Sequence, residues 1–149
     1  MAQYPPNQNR NSNSNRELSA DEKGKIHQII TADADGKILV DFADSIGERL
    51  FHDGMTRSQI RNIFSEARLI ELEWKKSSVD AARRRLTLLK PKMEYQKARE
   101  DKVTYLVQVL NEAIDQTQKA SSDTFNLAFK RFMEFFEAIL AYQRKYGGK

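Results

Sequence analysis

Cysteine is absent from the 149 residues, which excludes disulfides, thiolate zinc sites, iron–sulfur clusters and thiol nucleophiles. A chain of this length buries roughly 68–70% of its unfolded surface without a metal or disulfide staple. Long apolar runs are missing as well. The longest, Ala138-Ile139-Leu140-Ala141-Tyr142, is far short of the ~18 residues a membrane span needs. The amino terminus, Met1-Ala2-Gln3-Tyr4-Pro5-Pro6, has no charged-then-apolar signal pattern, so a soluble cytoplasmic protein is the expectation. Histidine is limited to His27 and His52, each beside an expected helix end, and His52 is better placed to complement a helix C-terminus than to act as a base. There is no glycine-rich phosphate loop, no His-x-x-x-His pair and no nucleophile elbow. Glu71 and Glu73 are two residues apart and point to different sides of a helix. No cofactor, metal or catalytic residue is implied, and an enzyme would have to draw its groups together from distant helices.

What the sequence does hold is helical periodicity, apolar residues recurring at three and four rather than two. Leu39, Phe42, Ala43, Ile46 and Leu50 mark one stripe. Thr56-Arg57-Ser58-Gln59 is a capping box opening a second, with Ile60, Ile63, Phe64, Ala67, Ile70 and Trp74. Val79, Ala82, Leu86, Leu89 and Met93 carry a third across Pro91, which is expected to kink or interrupt it. Val103, Leu106, Val107, Leu110, Ala113 and Ile114 form another, and Phe125, Phe129, Phe132, Phe136, Ile139 and Tyr146 the last. Ser19-Ala20-Asp21-Glu22 fits a capping box for a short helix through Ile26, Ile29 and Ile30, ending near Asp33. Nothing reads as a sheet. The expectation is an all-α compact bundle of about five helices over residues 21–149, preceded by a disordered tail over residues 1–20, where Asn, Gln, Ser and Arg offer no apolar side chains to offset the entropy of ordering.

Two signals carry less than they promise. Asp33-Ala34-Asp35-Gly36-Lys37-Ile38 resembles the middle of a calcium loop, but with Gly36 at the sixth position Thr31 and Phe42 fall where Asp and a bidentate Glu are required, so a helix-linking turn is the better reading. The phenylalanines from Phe125 to Phe136 match a bundle core rather than a base-stacking platform. Phe135, off the main stripe, is a candidate contact with another protein.

The formal net charge of +4 conceals an asymmetry. Residues 21–56 carry a net −4, residues 57–99 a net +7 and residues 100–118 a net −3. At about 100° per residue, Arg57, Arg61, Arg68 and Lys75 share an arc of about 40°, Glu66 and Glu73 lie on the opposite flank, and Glu71 dilutes the basic stripe. Lys76, Arg83, Lys90 and Lys97 repeat every seven residues. Rows of this kind can follow a nucleic-acid backbone without reading bases. The plain alternative, a set of solvated helix faces, weakens once the cations are segregated, although segregation alone does not separate RNA from DNA or from an acidic protein.

Three stretches resemble, in order, those of the small α-helical subunit of type III-A CRISPR (Csm) effector complexes. They are Thr56-Arg57-Ser58-Gln59-Ile60-Arg61, Leu89-Lys90-Pro91-Lys92-Met93-Glu94-Tyr95 with Arg99, and Phe132 through Tyr142. Ala43-Asp44-Ser45-Ile46-Gly47 precedes them, and the resemblance covers about residues 37 to 149. Arg57, Gln96-Lys97 and Gln143 depart from the family pattern, which has Thr, a small pair and His there.

The resemblance implies a non-catalytic subunit, several copies of which line the complex beside its backbone and large subunits and hold guide RNA and target RNA through backbone contacts. Sequence reading is left to guide pairing. Carried over by position, it points to Arg61, Lys90, Lys92 and Arg99 as RNA-binding residues, with Gln59 and Arg68 in support. The alternative is a helical protein-interaction adaptor without nucleic-acid binding.

Overall fold

The structure, a computed structural model, describes residues 17–147. Six α-helices account for most of them: α1 (Ala20–Thr31), α2 (Lys37–His52), α3 (Arg57–Trp74), α4 (Val79–Arg99), α5 (Thr104–Gln118) and α6 (Phe125–Gly147), with a 3-10 turn, Asp101–Val103, before α5. No strand occurs among the described residues. The all-α reading stands, but the count of about five is corrected to six. The segment after Ser19 forms the expected short helix, 12 residues long, and it makes the sixth. Most of the tail expected over residues 1–20 lies outside the described residues. At its end Leu18 packs against the core and Ser19 caps α1.

Local chemistry sets the helix starts. Ser19 Oγ accepts the Glu22 N–H at 3.1 Å while Glu22 accepts the Ser19 N–H at 2.9 Å, the reciprocal box that satisfies two orphan donors. Thr56 and Gln59 do the same for α3, at 3.2 and 2.8 Å. Ahead of α2 the turn works differently. Gly36, at φ 77°, takes the left-handed conformation that suits a residue without Cβ. The Asp33 carboxylate accepts the N–H groups of Ile38 and Leu39 at 3.3 and 2.8 Å, so the calcium-loop-like stretch is a capping turn.

Pro91 does not interrupt α4, which runs 21 residues through it. Proline removes the bond to the Thr87 carbonyl, but Leu86, Leu89 and Met93, on both sides of it, are all buried and keep the helix continuous. The packing contribution of these three side chains, roughly 1.5–3 kcal/mol each, together outweighs the cost of about 3 kcal/mol for a proline inside a helix.

The core is built on α6. Phe125, Phe129, Phe132, Phe135 and Phe136 are all fully buried. Trp74 stacks on Phe129 at 4.9 Å between ring centroids, and Phe64 meets Phe136 edge-on at 5.1 Å. Phe135 is not a protein contact. It stacks on Phe42 of α2 at 6.1 Å, because α6 is covered by α2 on one side and α3 on another, so its apolar surface extends beyond one stripe.

Three contacts fasten the last turns of α6. Tyr146 donates to Asp44, a bond that pushes the phenol up to about 12. Gln143 Nε2 donates to the Met55 carbonyl at 3.1 Å in the interior. At Gly47 the backbones of α2 and α6 come so close that a Cβ would sit 2.6 Å from the Gln143 nitrogen. Close to the same end of α2, Tyr105 of α5 donates to Glu22 at 2.7 Å, beneath the Arg49 guanidinium, 3.6 Å from the Tyr105 ring centroid.

Gly47→Ala forces α2 and α6 apart and is expected to destabilise the fold by about 1–3 kcal/mol in urea unfolding, whereas an unchanged midpoint would contradict the close approach. Burial alone would raise the Glu22 carboxyl, but the Ser19 N–H, the Tyr105 and Ser19 hydroxyls and the Arg49 charge hold it below its usual 4.5. A depressed folded value stabilises the native state above the unfolded value and is lost as pH falls through the folded one. The stability difference between the chain and Glu22→Gln should therefore be full at neutral pH and shrink below pH 4.5; a difference constant down to about pH 3 would refute this.

Candidate nucleic-acid interface

The two flanks of α3 have different neighbours. Its acidic flank meets α4, where Lys92 Nζ donates to Glu66 at 2.9 Å and Arg85 pairs with Glu73. The two pairings run in opposite directions along the two helices, so α3 and α4 are antiparallel. The other neighbour is α6, through Trp74 Nε1 donating to Asn126 at 3.0 Å and through Phe64 on Phe136. With Glu66 and Glu73 consumed against α4, Arg57, Arg61, Arg68 and Lys75 are left on the remaining flank.

Arg61 is exposed and pairs with no carboxylate among the described residues. Arg68, about two turns further along the stripe, bridges Glu71 at 2.8 Å, the acid expected to dilute it. Gln59 is occupied in the α3 capping box. Lys90 and Lys92 flank Pro91 but point to different neighbours: Lys90 pairs with Asp115 of α5 and Lys92 with Glu66 of α3. Arg99, the last residue of α4, lies exposed with its guanidinium 5.7 Å from the Tyr95 ring centroid. Carrying the antiparallel register of Lys92–Glu66 onward brings Arg99 level with the start of α3, so Gln59, Arg61 and Arg99 gather at one end. Lys90 and Lys92 sit mid-helix on separate sides, and the six residues do not form one continuous patch.

The heptad row of cations is a correction. Lys76 lies beyond the end of α3, in the connection to α4. Arg83 turns inward, donating to the carbonyls of Gln118 and Ala120 at 2.8 and 2.6 Å with its guanidinium 4.5 Å from the centroid of Phe125. Lys97 pairs with Glu94 at 3.5 Å. The heptad spacing that would line up phosphates also lines the seam between α4 and α5, and there the fold uses Arg83 and Lys90 itself.

Arg144 of α6 is not legible from the sequence. It is among the charges acting on Arg57, and with Arg61 it holds that guanidinium below its ordinary range. It stands 87 positions from Arg57 in the chain, and no motif connects them. Among the described residues no group of His, Asp and Glu is placed to hold a metal ion.

A family model described as Csm2 Type III-A matches residues 33–149. No curated protein matches, and no solved structure does.

The geometry separates structural cations from free ones. Arg83→Met strips two carbonyls of a charged donor and should cost about 1.5–3 kcal/mol in urea unfolding, whereas Arg61→Met, with no carboxylate partner to lose, should stay within about 0.5 kcal/mol of the parent. Equal effects would contradict this division.

Proposed function

The chain belongs to the Csm2 Type III-A family and is thus a small subunit of a type III-A CRISPR effector complex; we propose that within it the chain is non-catalytic and holds guide and target RNA through sequence-independent backbone contacts. The observation that carries this reading is the division of charge on α3. Glu66 and Glu73 are spent on α4, and Arg61 is left exposed and free of acids on the other flank. Arg99 stands exposed at the same end. Guanidinium groups match phosphate oxygens in geometry and charge, and backbone contacts carry no base information.

Arg68, Lys92 and Gln59 take supporting parts, while Lys90 is held on Asp115 of α5. Arg68 and Lys92 are in exposed ion pairs, with side chains 53% and 62% exposed. Pairs of that kind contribute about 0–1 kcal/mol, so a phosphate can displace the carboxylate at small cost. Gln59 acts by capping the helix that presents Arg61.

One observation favours protein contacts in addition. Leu69, Leu88 and Tyr95 are about half exposed or more, at 55%, 47% and 62%, along the groove between α3 and α4. A concentration of large apolar side chains on one face suits a subunit interface, with the backbone subunit, the large subunit or neighbouring copies as occupants. An adaptor without RNA binding would use this face alone.

Salt titration distinguishes the two readings. The triple variant Arg61→Gln, Lys92→Gln, Arg99→Gln should retain its fold by circular dichroism and bind single-stranded RNA with a log–log salt slope shallower by about 2, at about 0.7 for each phosphate no longer neutralised. Unchanged affinity and slope would remove these residues from the interface, and a parent chain without salt-dependent RNA binding would leave the adaptor reading.

A further inference from the structure

Several cations of this protein are neutralised from within. Lys25, Lys37, Arg68, Arg85, Lys90, Lys92 and Lys97 each have a carboxylate partner, and Arg83 has two carbonyls. One end of the α3–α6 seam is different. The buried bond from Gln143 to the Met55 carbonyl ties the last turns of α6 to the connection just ahead of α3, and Arg144, the next residue, is thereby brought to the first turn of α3. Arg57 opens that turn and Arg61 follows it by four residues, on the same flank. Three guanidinium groups from two helices converge, and none of them pairs with a carboxylate among the described residues.

Convergence of this kind is unfavourable for the protein alone. Arg144 first, and then Arg61, act on Arg57 strongly enough to hold its guanidinium below the ordinary arginine range. The Arg57 Nε is shielded from solvent and has no hydrogen-bond partner, so this donor forgoes both water and a protein acceptor. Nothing in the packing requires arginine here, since the fastening of α6 to the α2–α3 connection is made by Gln143. A group that brought negative charge and several acceptor oxygens would relieve both penalties together.

We infer that Arg57, Arg61 and Arg144 form a clamp for the phosphodiester backbone of the bound RNA, with Arg57 at its centre. The inference rests on the RNA-binding reading above and adds α6 to an interface otherwise drawn from α3 and α4. The planar, always charged guanidinium gives two parallel N–H donors to a phosphate, and the three, each meeting a phosphate, hold the strand where it crosses from α3 to the end of α6.

The test uses the full chain and a short single-stranded RNA of mixed sequence, titrated with salt. The double variant Arg57→Gln, Arg144→Gln should show a salt slope shallower by about 1.4, and Arg144→Gln alone, which leaves α3 untouched, by about 0.7. Thermal unfolding at low salt should be unchanged or shifted upward in both, because repulsion is removed and no ion pair is broken. RNA binding by the parent with an unchanged slope and affinity in both variants would overturn the clamp while leaving the RNA reading intact. Failure of the parent chain to bind RNA in a salt-dependent way would overturn the RNA reading and the clamp with it.

Discussion

Five phenylalanines of α6, none with any solvent exposure, oblige the remaining helices to surround them. Each buried aromatic side chain contributes roughly 1.5–3 kcal/mol relative to exposure, and the group together sets where α2 and α3 must lie. α2 is drawn in until its Gly47 leaves no room for a Cβ against α6. α3 is drawn in by Phe64 and Trp74. Once α3 is fixed by its apolar stripe, the orientation of its polar residues is no longer free, and its acidic and basic flanks are assigned to different neighbours by packing rather than by electrostatics.

That assignment connects the fold to the proposed role. Glu66 and Glu73 of α3 are used as internal fasteners to α4, and Arg61 is exported. A helix whose charges were intermixed would neutralise itself along its own surface, as Arg68 and Glu71 do. Arg61 escapes that fate because no acid stands beside it. The same packing brings the end of α6 to the start of α3 and adds Arg144 to the arginines already there. Cations that lie on the α4–α5 seam take the opposite course: Arg83 and Lys90 close that seam and serve the structure.

The helices are largely legible in the sequence because their signals are local. The capping residues Ser19 and Thr56 and the apolar residues at three and four spacing need no knowledge of the tertiary fold. Phe135 misleads because a single stripe describes a helix with one buried side, while α6 has more than one. Pro91 fails to interrupt its helix because its cost is local and its compensation, the burial of Leu86, Leu89 and Met93, is tertiary. The basic stripe of α3 can be drawn from the sequence, and the resemblance in three motif stretches points to the family to which the chain belongs. Which cations of α4 are free cannot be drawn, since the partners of Lys90, Lys92 and Arg83 lie outside that helix. The approach of Arg144 to Arg57 depends on the whole path of the chain between them.

The central claim is that the arginine flank of α3 faces RNA. The most direct measurement is the reactivity of individual arginines toward phenylglyoxal, read by mass spectrometry with and without RNA. Arg61 should be protected when RNA is bound, while Arg84, exposed in the groove on the opposite flank of α3, should react equally in both states. Equal reactivity of Arg61 with and without bound RNA, or protection of Arg84 in its place, would contradict the account.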